Sequence, residues 1–152
     1  MRDSVTVHMK APADKVWELV SDVTRIGEFS PETFEAEWTG GATGPAVGAR
    51  FRGHVKRNGR GPTYWAPCKV TVVEPGKVFE FIVVGPKDRT MNTWGYRIEA
   101  AGDGSDVSEY FQLSQALPFK IYWALLGKFR GKTNRVGMQT TLERIRDVVE
   151  KG

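Results

Sequence analysis

Glu109 is the residue whose setting points most directly to chemistry. Val107, Phe111 and Leu113 share its parity in a run of period two, which places a carboxylate on the apolar face of a predicted strand. A carboxylate there must be hydrogen-bonded, paired or neutralised, because an isolated buried charge is expensive. It either orients a ligand, or serves as an acid or base with a raised pKa. The structural alternatives are a pair with an Arg or Tyr, or a place near a wet pocket mouth. Tyr64, Trp94 and Tyr96 are its natural companions, because their parity also points them toward the concave side of a curved sheet.

The other reactive side chains have plainer settings. His8 and His54 fall on the polar side of their strands, among Thr6, Lys10, Arg52 and Lys56, and read as surface histidines. Cys68 is the only cysteine, so an intrachain disulfide and thiolate metal clusters are excluded. Its parity with Tyr64, Ala66 and Val70 makes it a small buried hydrophobe. No metal-binding motif is present, and neither a metal nor a cofactor is expected. The sequence GKT at 131–133 has Leu126 where a phosphate loop requires glycine, and the segment before it has no strand character.

Short strands must position these residues. After Val5, Val7 and Met9 on a first strand, Val16, Trp17, Leu19, Val20 and Val23 recur at helical spacing, with Asp14 as a capping candidate. A second short helical or irregular piece covers Thr24 to Phe29 and stops before Ser30-Pro31. Six alternating runs follow: Phe34 to Trp38, Phe51 to Val55, Tyr64 to Val72, Phe79 to Val83, Trp94 to Ile98 and Val107 to Leu113. Gly- and Pro-containing turns separate them, which argues for an antiparallel meander. Met138, Leu142, Ile145 and Val149 then form one stripe of a C-terminal helix.

With 152 residues, 40% hydrophobic and 26% charged, the chain is expected to be one globular domain over 1–152. Its net charge of +4 falls short of the concentrated basic footprint of a nucleic-acid binder, and no nucleic-acid partner is expected. The opening MRDSVTVHMK has no apolar h-region and the apolar patch at 121–127 is too short to span a bilayer, so a cytoplasmic location is the default expectation. The segment 117–135 mixes Leu117, Phe119, Trp123 and Phe129 with Lys120, Lys128, Arg130 and Arg135. It reads as a lid over a pocket mouth, or as a peripheral contact with a membrane or partner.

The stretches VTVHMKAPADKVWELVSDVTRIGEFSPE, GGATGPAVGARFRGH, YWAPCKVTVVEPGKVFEF and TWGYRIEAAGDGSDVSEYFQL resemble the START-like (SRPBCC) superfamily of polyketide cyclase/dehydrase and lipid-transport proteins. The likeness covers about residues 2 to 150 and is strongest to a large bacterial group. It implies an α+β helix-grip fold. In that fold a seven-stranded curved antiparallel sheet wraps a long C-terminal helix, with two short helices after strand 1 and an elongated cavity between sheet and helix. It does not imply a reaction, since the superfamily mixes carriers, receptors and enzymes. Many relatives carry Trp where this chain has Phe29, which keeps an aromatic plug but loses the indole donor.

One helix cannot fill the concavity of such a sheet, so some aromatic side chains should line a hollow. The candidates for binding a small hydrophobic ligand are Trp38, Phe51, Tyr64, Phe81, Trp94, Tyr96, Glu109, Phe111, Trp123 and Met138. The ligand class is lipid, polyketide-like or aromatic. A metal-free aromatase/cyclase with Glu109 as its acid–base group is the alternative. Oligomeric state is left open.

Overall fold

The computed structural model describes residues 2–56, 62–114 and 131–151. The elements run β1 (Arg2–Met9), α1 (Ala13–Val20), a 3₁₀ helix (Val23–Glu28), β2 (Thr33–Thr39), β3 (Arg50–Val55) and β4 (Tyr64–Glu74). There follow β5 (Val78–Val84), a 3₁₀ turn (Pro86–Asp88), β6 (Thr90–Ala101), β7 (Gly104–Leu113) and α2 (Gly131–Lys151). The strands form one antiparallel sheet in the order β1-β7-β6-β5-β4-β3-β2. With the long C-terminal helix and the short helices after β1, this is the expected helix-grip fold.

Two polar ties set the helix against the sheet. Arg135 Nε donates to Asp3 Oδ2 at 2.8 Å, and the Lys10 backbone N–H donates to Glu150 Oε2 at 2.9 Å. Fifteen helical residues rise about 22 Å and seven strand residues about 23 Å, so α2 and β1 run side by side without mismatch. Leu142, Ile145 and Val149 are buried from this helix, against Val7, Met9, Ile98 and Val107 of the sheet and Val16, Leu19 and Val20 of α1.

The first helix begins differently from expectation. Pro12, in extended conformation, is its N-cap and makes no side-chain cap bond. Asp14 sits in the first turn, where its charge complements the helix dipole. The 3₁₀ helix does have a side-chain cap, with Asp22 Oδ1 accepting from the Thr24 N–H at 3.1 Å. Phe29, at its end, is 1% exposed and meets the Tyr96 ring edge-on at 6.3 Å. The aromatic plug expected at this position is therefore present.

Phe34 breaks the alternation expected of it. A bulge pairs Thr33 with Val55 but Glu35 with His54, leaving Phe34 as the extra residue, and one extra residue turns a side chain off its expected face. Phe34 is exposed and packs its ring 4.4 Å from His54. His54 also stacks on Trp65 at 4.1 Å and receives or gives a hydrogen bond at Thr63 Oγ1, 3.0 Å away. Both histidines lie toward the outer side of the sheet. His8 bridges Asp106 at 2.8 Å and Asp103 at 2.7 Å. Elsewhere on that side, Tyr110 lies across Gly95, where a Cβ would collide with the phenol ring, and its hydroxyl donates to Glu80 Oε1 at 2.9 Å.

Of the segment 117–135, residues 117–130 lie outside the described residues. Among the described residues no helix is long and apolar enough to cross a membrane.

Candidate functional site

A cavity of about 400 Å³ lies between the sheet and the first turns of α2. Four central strands supply its walls through their inward parity: Phe51 from β3, Tyr64, Ala66 and Cys68 from β4, Phe81 and Val83 from β5, and Asn92, Trp94 and Tyr96 from β6. Glu109 enters from β7, and Gly137, Met138 and Thr141 close the helix side. The segment after the 3₁₀ helix contributes Ser30, Pro31 and Thr33.

The hollow follows from the residues that α2 presents here. Leu142, Ile145 and Val149 fill the space further along the helix, whereas Gly137 offers no side chain and a Cβ built on it would meet nothing within 4 Å. Thr141 is buried and turns its hydroxyl back to the Gly137 carbonyl at 2.9 Å, a local bond that spends its one donor.

Glu109 is 5% exposed and stands opposite Tyr96 in the β6–β7 register. Burial pushes its carboxyl up to about 8, and a hydrogen bond donated by the Tyr96 hydroxyl partly offsets that rise. The Tyr96 phenol is raised well above its ordinary value, first by burial and then by the neighbouring Glu109. Glu109 Oε1 has no hydrogen-bond partner. Asn92 is likewise buried at 4% exposure, with Oδ1 unpartnered. Both side chains line the cavity. Cys68 is buried, its thiol pushed by burial to about 12 and directed at the Ala66 carbonyl 3.5 Å away. That is an inert thiol, since the thiolate is the reactive form. Among the described residues, no three His, Cys, Asp or Glu side chains are placed to hold a metal ion.

Of the residues singled out from sequence, Phe51, Tyr64, Phe81, Trp94, Tyr96, Glu109 and Met138 come together around this cavity. Tyr64 is the most exposed of these, at 46%. Trp38 and Phe111 do not line it. Trp38 packs edge-on against Phe51 at 5.8 Å, and Phe111 is fully buried 4.7 Å from the Trp94 ring. Each stands beside a lining ring on the neighbouring strand, Trp38 opposite Phe51 and Phe111 opposite Trp94 in the register. Trp123 lies outside the described residues. Sequence reasoning passed over Asn92, Gly137 and Thr141. Asn92 shares parity with Trp94, Tyr96 and Ile98, and Thr141 sits beside Leu142 between Met138 and Ile145, so the pattern held a signal for both.

A curved antiparallel sheet closed on a long helix around an apolar hollow defines a START-like helix-grip protein. A sequence profile described as polyketide cyclase / dehydrase and lipid transport matches residues 2–150, and the chain belongs to that family. Solved structures agree. A protein of Nitrosomonas europaea superimposes with a TM-score of 0.71 at 11% identity, over 99% of this chain and 95% of that one. A protein of Chromobacterium violaceum gives 0.69 at 14% identity, over 98% and 97%. An AHSA1-like protein from Aeromonas hydrophila gives 0.66 at 18% identity, over 99% and 93%. At these identities the likeness is one of fold. No match to a curated protein was found.

Proposed function

We propose that the chain binds a small, mostly apolar ligand in this cavity and carries or senses it without altering it. The observation that supports this best is the hollow itself. About 400 Å³ is left open in a sheet–helix interior that is otherwise close-packed, and its walls are mainly aromatic and aliphatic. Small-molecule sites have this composition, with a few polar groups to fix orientation. Phe51, Phe81 and Trp94 favour flat or ring-bearing guests. Native mass spectrometry of the protein from its own host should show a co-purified hydrophobic compound, and one that is released on filling the cavity by mutation. Protein that is empty from every preparation and binds no lipid or aromatic probe would refute the reading.

One observation favours a second reading, a metal-free cyclase. Glu109 is a buried carboxyl that titrates near neutrality, as a general acid–base group should. It would take a proton from the carbon between two ketones of a polyketide-like chain. The resulting enolate would attack a second carbonyl to form a ring C–C bond, and the same carboxyl would return the proton to the new alkoxide. Tyr96, which donates to the Glu109 carboxyl, would be the positioning residue, and Tyr64 would contact substrate nearer the mouth. Under this reading Glu109→Gln abolishes turnover but retains binding; unchanged turnover by that variant would exclude it.

A further inference from the structure

Two acceptor atoms on side chains that line the cavity, Glu109 Oε1 and Asn92 Oδ1, are buried and unpartnered, on residues 5% and 4% exposed. Buried polar groups in folded proteins are nearly always satisfied, and leaving one unmade is costly. Two such atoms, on side chains bordering one cavity, describe a ligand's polar pattern.

Their separation follows from the strand register. Glu109 faces Tyr96 across β6–β7, while Asn92 faces Leu113. Asn92 and Tyr96 are four residues apart on one strand and on one face, about 13 Å at ~3.3 Å per residue. Trp94 lies between them, with Phe81 directly opposite it on β5. Along its β6–β7 wall the cavity thus has two polar groups with an aromatic ring between them.

The Glu109 end selects among polar groups. Tyr96 already donates to this carboxyl, and Oε1 is the oxygen left over. An ammonium would fit only the ionised carboxylate, and a carbonyl only the protonated acid. A hydroxyl fits both, because it can donate to a bare oxygen or accept from an acidic O–H. A hydroxyl also donates to Asn92 Oδ1.

We infer that the cavity takes a rigid, apolar ligand carrying a hydroxyl at each end, one bound at Glu109 and the other at Asn92. Two hydrogen bonds of about 2.8 Å, lying along or across the strand direction, set the oxygen–oxygen span at about 8–13 Å. This rests on the apolar-ligand reading above and adds a length and a pair of functional groups to it.

The test compares stilbene, stilbene with a para-hydroxyl on one ring and stilbene with a para-hydroxyl on each ring, titrated into the intact protein. The doubly hydroxylated probe should bind about tenfold tighter than the singly hydroxylated one, and that about tenfold tighter than stilbene, as satisfying a buried acceptor implies. Asn92→Leu should erase the advantage of the second hydroxyl and leave that of the first. Equal affinity of the three probes for the unmodified protein would overturn the inference while leaving the apolar-ligand reading intact. Binding of none of them overturns the inference, and the apolar-ligand reading falls with it only if the protein also binds no lipid and carries no co-purified compound. The unmodified protein alone decides between these outcomes, so a failure of Asn92→Leu to fold does not obscure them.

Discussion

The same sheet and the same helix make two different interiors. Along the later turns of α2, Leu142, Ile145 and Val149 meet Val7, Met9, Ile98 and Val107 with almost no exposed surface. Along its earlier turns, Gly137, Met138 and Thr141 border the same cavity as Trp94, Tyr96 and Glu109. Backbone geometry is shared, and the side chains decide which end is solid. A helix-grip protein can therefore keep its stability in one half of the core and its binding site in the other.

The largest test of that division is a pair of truncations. Leu142→Ala should cost about 2–5 kcal/mol, because it removes contacts on all sides and leaves a new void. Met138→Ala should cost less, since the space it opens joins a cavity that the residue already borders. Urea denaturation of both variants checks the ratio. Equal losses would mean the two ends are equally packed.

Next in size is a pH effect confined to the hollow end. The Glu109 carboxyl sits at about 8 when folded against its ordinary 4.5. Between those values the unfolded chain releases its proton while the folded chain holds it, so rising pH favours unfolding. The effect is absent below about pH 4.5, grows through the window and is complete above about pH 8, amounting to a few kcal/mol at most. Glu109→Gln should flatten this decline. Denaturation midpoints across pH 4 to 9 would show it, and an unchanged slope would mean that the carboxyl is not held neutral by burial.

These two tests draw on features that differ in how far they could be read from sequence. The seven strands and the stripe Met138–Leu142–Ile145–Val149 were legible because period two and period 3.6 report burial directly. Glu109 was legible for the same reason, as a charge out of place in an apolar register. Phe34 was not, because one extra residue in β2 reverses facing and leaves no compositional mark. Trp38 and Phe111 have the correct parity for the concave side, yet stand beside Phe51 and Trp94 on neighbouring strands without bordering the cavity. Parity assigns a face of a sheet, not which part of that face borders open space. Gly137 escaped notice for a related reason: a cavity is made by what a residue lacks, and the pattern of apolar residues does not record that.

Gly137 offers a smaller test of stability and a direct one of the hollow. Nothing lies within 4 Å of where its Cβ would stand, and glycine within a helix is destabilising relative to alanine by up to about 1 kcal/mol. Gly137→Ala should raise stability by a few tenths to 1 kcal/mol. Gly137→Leu should fill the space and weaken hydrophobic-probe binding at least tenfold while the protein remains folded. A leucine that lowered stability without affecting binding would place the ligand elsewhere.

The smallest expected effect belongs to the outer side, where His8 lies between Asp103 and Asp106. Hydrogen bonds to the two carboxylates raise its pKa above 6.5, Asp103 contributing most; Asp103 itself is lowered, His8 being the leading cause. For a histidine with a raised folded value, the stabilisation is complete below about pH 6.5 and is lost as pH rises through the folded pKa. His8→Gln should therefore reduce stability only on the acidic side of that transition. Its sign matches that of Glu109, but its setting does not. Ions reach an exposed pair, and at 1 M salt the screening length shrinks to about 3 Å, so high salt should shrink the difference between His8→Gln and the unmodified protein. The Glu109 slope, set by burial in an apolar hollow, should survive the same salt. If salt instead abolished the Glu109 slope and left the His8 difference, the hollow would be open to bulk solvent and the contrast between the two ends of the core would fail.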